Sequence, residues 1–255
     1  MSKNKLTKFA ELDVLPNVFQ YPYKVLKDAG ITFPFKGKWC SEVFHNQQPI
    51  IVELGCGHGE YTIDLARRHP EHNYIGIDIK GNRMWNGATT AYKEGLSNVR
   101  FLRTEIELLP YFFSEGEVTE LWLTFPDPQM KKVSKRLTSI NFLMMYRSIL
   151  QAPKILNLKT DSLFLFTYTK RLAELNGLTV LEDLDDVHSE DRVSSELNEI
   201  ETFYESQWRA RGITIKYLRF ALDNLIQEPM EVKEEIPWDS YRSYGRSIRT
   251  STESI

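Results

Sequence analysis

The chain has 255 residues and a formal net charge of −3, with 32 lysines and arginines against 35 aspartates and glutamates. It is long enough for one large domain with appendages. It has no apolar run near the roughly 20 residues of a membrane span, no signal peptide and only two distant cysteines, Cys40 and Cys56. We therefore predict a cytoplasmic protein with no disulfide framework, no metal and no membrane partner.

The spacing of apolar residues predicts strands that alternate with helices along most of the chain. Strands are predicted at residues 49–54, 73–78, 99–104, 119–125, 155–158, 179–184 and 214–222. Helices are predicted at residues 60–69, 83–94, 139–150, 163–175 and 197–211. Seven strands in this alternation predict an α/β fold, a doubly wound Rossmann-like sheet with helices on both faces. The last strand is expected to run antiparallel.

The composition of the two ends differs from that of the middle. Residues 1–30 are polar and basic with scattered aromatic residues, and we predict an arm that orders on a substrate. Residues 31–226 form the predicted domain. Residues 227–255 are rich in Pro, Ser, Arg and Glu with little periodicity, which predicts a flexible tail.

A glycine-rich loop follows the first predicted strand. Gly55, Gly57 and Gly59 lie between Glu53 and Glu60, where a strand ends and a helix begins. Glycines at these positions permit a tight turn and close approach of a ligand to the backbone. A dinucleotide fingerprint needs glycine where Glu60 stands, and two carboxylates would repel a pyrophosphate. The loop therefore favours a cationic cofactor without phosphates, such as S-adenosylmethionine.

Acidic residues also end the next two predicted strands. Asp78 ends the second strand, where a carboxylate can accept both hydroxyls of a ribose. Glu105 follows the third strand, where it could meet the edge of an adenine. Each acid by itself could instead be a helix N-cap or a surface carboxylate. Their joint spacing favours a binding site for adenosylmethionine over one for a nicotinamide.

The segment 121–136 is the most informative stretch of the chain. Its apolar run stops at Asp127, which stands between Pro126 and Pro128, so that the carboxylate is held on a stiff backbone. Between Asp127 and Asp161 no acidic residue occurs, and the cations are Lys131, Lys132, Lys135, Arg136, Arg147, Lys154 and Lys159. Such a window predicts a basic face for an anionic partner. The alternative is a turn at a strand end followed by a solvated loop.

Together these motifs resemble the bacterial tRNA (guanine-N7-)-methyltransferase family over residues 20–222. The segments that carry the resemblance are Glu53-Leu-Gly-Cys-Gly, Gly76-Ile-Asp78, Gly95-Leu-Ser-Asn-Val-Arg100, Phe125-Pro-Asp-Pro128, Lys159-Thr-Asp161 and Thr202-Phe-Tyr-Glu205. The resemblance implies a class I methyltransferase fold. It also implies transfer of a methyl group from S-adenosylmethionine to N7 of a tRNA guanine, with the variable-loop guanine at position 46 as the expected target.

The resemblance also implies roles for individual residues. Glu53, Asp78, Glu105 and Asp127 would contact the cofactor, with Asp127 also the catalytic residue. The tRNA would be bound by Lys131, Asp161, Thr202, Phe203, Tyr204 and Glu205. The chain departs from the family where Gln129 and Met130 replace Trp-Pro and the basic run that follows is about two residues shorter.

From the chemistry we expect Asp127 to orient the guanine without removing a proton, because N7 already carries a free lone pair. We expect phosphate contacts from Lys131, Lys132, Lys135, Arg136 and Lys159. Two alternatives remain at this point: a methyltransferase of another RNA base or small molecule, and a non-catalytic RNA-binding module. The sequence leaves open whether the protein is a monomer or a homodimer.

Overall fold

The computed structural model describes residues 5–29, 32–189 and 194–240. Eight strands form one sheet: β1 (Val18–Gln20), β2 (Ile50–Leu54), β3 (Asn73–Ile77), β4 (Val99–Arg103), β5 (Val118–Thr124), β6 (Leu150–Thr160), β7 (Thr179–Leu184) and β8 (Lys216–Ala221). The helices are α1 (Lys5–Leu12), α2 (Tyr23–Ala29), α3 (Glu60–Arg68), α4 (Gly81–Lys93), α5 (Leu109–Phe112), α6 (Ile140–Ile149), α7 (Leu163–Leu175), α8 (Ser195–Glu199) and α9 (Phe203–Arg209).

The strands lie in the order β1-β4-β3-β2-β5-β6-β8-β7, and β8 runs antiparallel to both of its neighbours. The predicted α/β sheet with an antiparallel last strand is confirmed. The predicted count of seven strands is wrong, because β1 also pairs in parallel with β4. With three residues that are all only partly buried, β1 is too short to show the period-two pattern by which strands are recognised.

The strand order reverses beside β2. The chain passes from β2 through β3 to β4 on one side, and then returns to place β5 on the other side of β2. In open α/β sheets such a reversal leaves a crevice at the carboxyl ends of the two strands, and ligands bind there. The topology therefore locates a binding site at the ends of β2 and β5.

The sheet separates the core into two apolar layers. Alternate residues of β3 show the division: Ile75 and Ile77 pack in one layer, and Tyr74 packs in the other. The first layer contains an aromatic cluster in which Trp39 stacks on Phe113 at 5.6 Å. Burying one large apolar side chain stabilises the fold by about 1.5–3 kcal/mol, so the packing on both faces holds the strands in place.

The amino-terminal residues pack on the sheet and on α4. The indole of Trp85 in α4 donates a hydrogen bond to Glu11 at 2.7 Å, and Asn17 donates to the carbonyl of Ala88 at 3.0 Å. At the other end, the Asp239 carboxylate accepts hydrogen bonds from Ser162 and from the amide of Phe164. Residues 241–255, most of the predicted tail, lie outside the described residues. Among the helices that the structure describes, none is long and apolar enough to cross a membrane.

Candidate functional site

A cleft of about 370 Å³ opens where the strand order reverses. Its walls come from the loop after β2, the start of α3, the ends of β3 and β5, and the start of α9. Of the predicted site residues it contains Glu53, Gly55, Gly57, Asp78, Asp127, Thr202 and Tyr204. The fold thus brings together residues that are up to about 150 positions apart in the chain.

The glycines of the loop after β2 serve two different purposes. Gly55 and Gly57 line the cleft with φ angles of 79° and 55°, in the left-handed region that disfavours side chains. Gly59 also has a positive φ but faces the sheet, where a Cβ atom would lie 2.8 Å from the Phe101 ring. Gly59 therefore lets α3 approach the sheet, whereas Gly55 and Gly57 leave backbone open to a ligand.

Glu53 is buried on the floor of the cleft. Its carboxylate accepts hydrogen bonds from the hydroxyls of Thr62 and Thr124 and from the amide of Thr62 at 2.9 Å. Burial raises the pKa of the Glu53 carboxyl, and the hydrogen bonds from the two threonines oppose that rise. Glu53 therefore ties the first turn of α3 to the end of β5, as well as placing an acidic group beneath the cleft.

Asp78 lies at the carboxyl end of β3 and is only partly buried. One of its oxygens accepts a hydrogen bond from the amide of Gly57 at 3.0 Å, and the other accepts from the amide of Lys80 at 2.7 Å. These bonds hold the carboxylate against the glycine loop. An orientation fixed in this way suits an acceptor of two neighbouring hydroxyl groups.

Asp127 is exposed at the rim of the cleft. Its carboxylate accepts a hydrogen bond from the amide of Gln129 at 3.0 Å. The residues two positions before and after it, Phe125 and Gln129, have φ angles of 50° and 46°. Non-glycine residues rarely adopt such angles, and strained backbone of this kind concentrates at functional sites. The strain and the two prolines together hold the Asp127 side chain at the edge of the cleft.

The start of helix α9 forms another wall of the cleft. Thr202 caps its first turn and accepts a hydrogen bond from the amide of Glu205 at 3.2 Å. The amide of Phe203 donates to the Glu60 carboxylate at 3.1 Å, which connects α9 to the start of α3. Tyr204 lines the cleft, while Phe203 is exposed beside it.

The position of α9 depends on a fully buried ion pair between Lys159 and Glu205. The two charged groups are 2.9 Å apart, and neither side chain is exposed to solvent. Lys159 also donates to the carbonyls of Leu197 and Ile200, at 2.7 and 3.1 Å, and His188 contacts Glu205 at 3.0 Å. Burial lowers the pKa of Lys159, and its contact with Glu205 opposes that shift. The predicted phosphate contact by Lys159 is therefore wrong, because its ammonium group is inside the protein.

The basic segment after Pro128 is only partly presented to solvent. Arg136 is buried, donates to the carbonyls of Pro128 and Gln129 at 3.2 Å, and lies 3.9 Å from the centre of the Tyr168 ring. The predicted phosphate contact by Arg136 is also wrong, since its guanidinium group holds the loop from within. Lys135 pairs with Glu107 at 2.9 Å. Lys131 and Lys132 are exposed next to the rim that carries Asp127.

Several predicted site residues lie outside the cleft lining. The Glu105 carboxylate follows β4 and accepts a hydrogen bond from the amide of Tyr23 at 2.8 Å. Asp161 is buried after β6, with 1% of its surface exposed. Lys131 lies on the surface, with its ammonium group 5.5 Å from the centre of the Trp238 ring.

Other residues that line the cleft were not predicted from the sequence. They are Tyr61, Lys80, Arg83, Thr124 and Trp208 among others. Thr124 had a recognisable signal, because it is a polar residue at the end of an otherwise apolar strand. Lys80 and Arg83 lie two and five residues after Asp78 in the sequence, which was a weaker indication. Trp208 reaches the cleft only because α9 folds over it.

Comparison with known proteins gives a consistent result. A family model described as a putative methyltransferase matches residues 47–218. The tRNA (guanine-N(7)-)-methyltransferase of Porphyromonas gingivalis is 55% identical over 94% of this chain and 98% of its own length. The Bacteroides fragilis enzyme of the same name is 51% identical over 100% of this chain and 99% of its own length. The chain belongs to the tRNA (guanine-N7-)-methyltransferase family.

Solved structures with the same fold are more distant in sequence. The 16S rRNA methyltransferase KamB has a TM-score of 0.55 at 15% identity, over 72% of this chain and 92% of its own. An antibiotic-related methyltransferase has a TM-score of 0.53 at 20% identity, over 75% of this chain and 96% of its own. At such identities the likeness supports the fold alone, and membership of the tRNA (guanine-N7-)-methyltransferase family rests on the sequence relatives.

Proposed function

We propose that the protein transfers a methyl group from S-adenosylmethionine to N7 of a guanine in tRNA. The observation that carries the proposal is the acidic, glycine-lined cleft at the reversal of strand order, in a chain that is 55% identical to a tRNA (guanine-N(7)-)-methyltransferase. The exposed Asp127 stands at the rim, where this cleft meets the basic segment.

The residues of the cleft fit a cationic nucleoside cofactor. Gly55 and Gly57 leave the backbone open, and the carboxylates of Glu53, Glu60 and Asp78 face or underlie the cleft, so a pyrophosphate would be repelled. When bound, S-adenosylmethionine supplies an electrophilic methyl group on a positively charged sulfur. Asp78 would accept the ribose hydroxyls, and Glu105 at the next strand end would face the adenine.

Asp127 would orient the guanine. The N7 atom has a free lone pair, so the reaction needs alignment and exclusion of water more than a general base. A rigid carboxylate at the rim can accept a hydrogen bond from guanine N1–H or N2–H₂ and thereby direct N7 into the cleft. In this role Asp127 touches the substrate but takes no proton from it.

The tRNA would approach over the rim. Lys131 and Lys132 are exposed there and would contact phosphates, and Thr202, Phe203 and Tyr204 would meet the base and its neighbours from α9. Glu205 and Asp161 are buried in this structure, so we propose that they support this surface from below. The variable-loop guanine at position 46 is the proposed target.

The direct test is methylation of unmodified tRNA transcripts with labelled S-adenosylmethionine, followed by chemical strand scission at 7-methylguanosine. We expect one labelled site, in the variable loop, and loss of the label when that guanine is replaced by adenine. Label on another base, or on an atom other than N7, would replace this proposal with a different RNA methyltransferase. No transfer to tRNA at all would refute it.

A further inference from the structure

A cluster of two histidines and a glutamate lies at the amino-terminal end of β3, whereas the cofactor cleft lies at the carboxyl ends of the strands. His69 follows the last residue of α3, and Glu71 and His72 lead into the amino end of β3. One potential ligand atom from each of the three side chains lies within 4.8 Å of the other two. The segment 69–72, His-Pro-Glu-His, is too short to show a periodic pattern and contains no cysteine.

The three side chains converge on a common point. Nδ1 of His69 is 3.0 Å from Oε1 of Glu71, and Nδ1 of His72 is 3.9 Å from the same oxygen. Atoms at these separations can surround a cation at about 2 to 2.5 Å from each, which approaches the bond lengths of zinc to nitrogen and oxygen. Pro70 stiffens the connection between the two histidines.

The other ring nitrogen of His69 is held by a second carboxylate. Nε2 of His69 is 2.8 Å from Oε1 of Glu196 in α8. Histidines that bind metals usually donate their remaining N–H to a carboxylate or a carbonyl, which fixes the ring and its tautomer. If Nε2 of His69 donates to Glu196, a metal ion can replace the proton that Nδ1 shares with Glu71, and the electron pair of Nδ1 is then directed at the cluster.

His72 provides a separate observation. Its Nδ1 atom is screened from solvent and has no hydrogen-bond partner among the residues that the structure describes. Buried polar atoms without partners are uncommon, and an ion that the coordinates do not contain is one explanation for them. The atom faces Glu71, the residue that it would share such an ion with.

The charges around the cluster favour a cation. His69 and His72 border a cavity of about 260 Å³ that is also lined by Glu120, Glu182 and Glu196, with Arg219 as the basic residue of its lining. Arg219 itself lies 3.4 Å from Glu182 and 3.9 Å from Glu120. With Glu71 added, carboxylates outnumber guanidinium groups, so the local field attracts positive ions.

We propose that His69, Glu71 and His72 bind a divalent transition-metal cation, with water completing the coordination. Two imidazoles and one carboxylate suit Zn²⁺ and its neighbours in the first transition row, and they disfavour Mg²⁺ and Ca²⁺, which prefer oxygen ligands. The ion would clamp the connection between α3 and β3. Through His69 and Glu196 it would also hold α8, which leads to the wall of the cofactor cleft.

The test is titration of the metal-free protein with ZnCl₂ in a calorimeter, with MgCl₂ as the comparison ion. We expect one Zn²⁺ per chain with a dissociation constant in the micromolar range or below, and no saturable binding of Mg²⁺. The variants His72→Asn and Glu71→Gln should each weaken Zn²⁺ binding by about tenfold or more, and Glu196→Gln should weaken it by about 10- to 100-fold.

The matched control is His45→Asn. His45 is an exposed histidine in the left-handed conformation that asparagine tolerates, and it lies outside the cluster. Its replacement should leave the titration unchanged, and circular dichroism should show that every variant is folded. Zn²⁺ binding that is unaffected by both His72→Asn and Glu71→Gln, or no saturable Zn²⁺ binding to the unaltered protein, would overturn the proposal.

Discussion

The cofactor cleft and the basic segment after Pro128 meet at Asp127, yet they use their charged residues in opposite ways. In the cleft the acids Glu53 and Asp78 are held by backbone amides and hydroxyls and are part of the cleft lining. In the basic segment, Arg136 turns inward and the exposed Lys135 pairs with Glu107, which leaves Lys131 and Lys132 as the exposed lysines outside this ion pair. The comparison shows that charge counted along a sequence differs from charge presented at a surface.

The physical reason lies in the number of hydrogen bonds that each group needs. A carboxylate can be oriented by two neighbouring amides, as Asp78 is. The guanidinium of Arg136 has five donors. Its Nε and Nη2 donate to carbonyls of its own loop, and the group lies 3.9 Å from the centre of the Tyr168 ring. The loop that carries Gln129 and Met130 is thus closed by its own arginine.

Replacing Lys159 tests the buried side of this comparison and should have the largest effect. Lys159→Met leaves Glu205 buried without its partner, and we expect a loss of about 3–5 kcal/mol in the free energy of unfolding, measured with urea. The double variant Lys159→Met/Glu205→Leu should regain much of that loss. Lys93→Met, at an exposed site on α4, should stay within about 0.5 kcal/mol. If Lys159→Met is as stable as the unaltered protein, the ion pair does not hold α9.

Replacing Asp127 tests the point where the two regions meet. Asp127→Asn should lower kcat by about 100-fold, because alignment of the guanine is lost while the protein stays folded. Initial rates with saturating tRNA and cofactor measure this effect, with Glu115→Gln, an exposed acid, as the control. Near-normal turnover of Asp127→Asn would exclude the orienting role.

Replacing Asp78 tests the cofactor side alone. Asp78→Asn removes a charged acceptor for the ribose hydroxyls, and hydrogen bonds to charged groups contribute about 1.5–3 kcal/mol. We expect the KM for S-adenosylmethionine to rise by roughly 10- to 100-fold, with a much smaller change in the KM for tRNA. Equal changes in both KM values would show that Asp78 acts on the whole cleft and not on the cofactor.

Replacing the exposed lysines tests the RNA side and should have the smallest effect. Lys131→Ala and Lys132→Ala should each weaken tRNA binding a few-fold and lower the slope of log K against log salt concentration by about 0.7 to 0.9. Lys93→Ala should leave that slope unchanged. If the slope is the same for all three variants, the phosphate contacts are made by residues away from the rim.

Much of the fold could be predicted because its signals are local. The apolar runs of β2 and β3, the glycines after β2 and the proline at residue 70 mark element boundaries within a few residues of their observed positions. Strand β1 was missed because three half-buried residues carry no pattern, and it is specified by pairing with β4 some 80 residues later. Its existence depends on the partner and not on its own propensity.

The candidate site divides in the same way. Gly55, Gly57 and Asp78 could be placed at strand ends from sequence, and the structure brings them together in one cleft with Asp127 and Tyr204. The inward positions of Lys159 and Glu205 could not be predicted, because their partners come from elements that meet only after folding. The orientation of Lys159 is decided by the carbonyls of residues 197 and 200, which no local pattern connects to β6.

The sequence by itself determined the α/β class, the glycine loop and the acids at successive strand ends, because these depend on periodicity and on residues that are close along the chain. The tertiary structure decided which charges face solvent, how α9 closes the cleft, and that His69, Glu71, His72 and Glu196 come together at the amino-terminal end of β3. The features decided by the tertiary structure depend on burial and long-range pairing, since the cost of removing a charge from water depends on every neighbour that folding supplies.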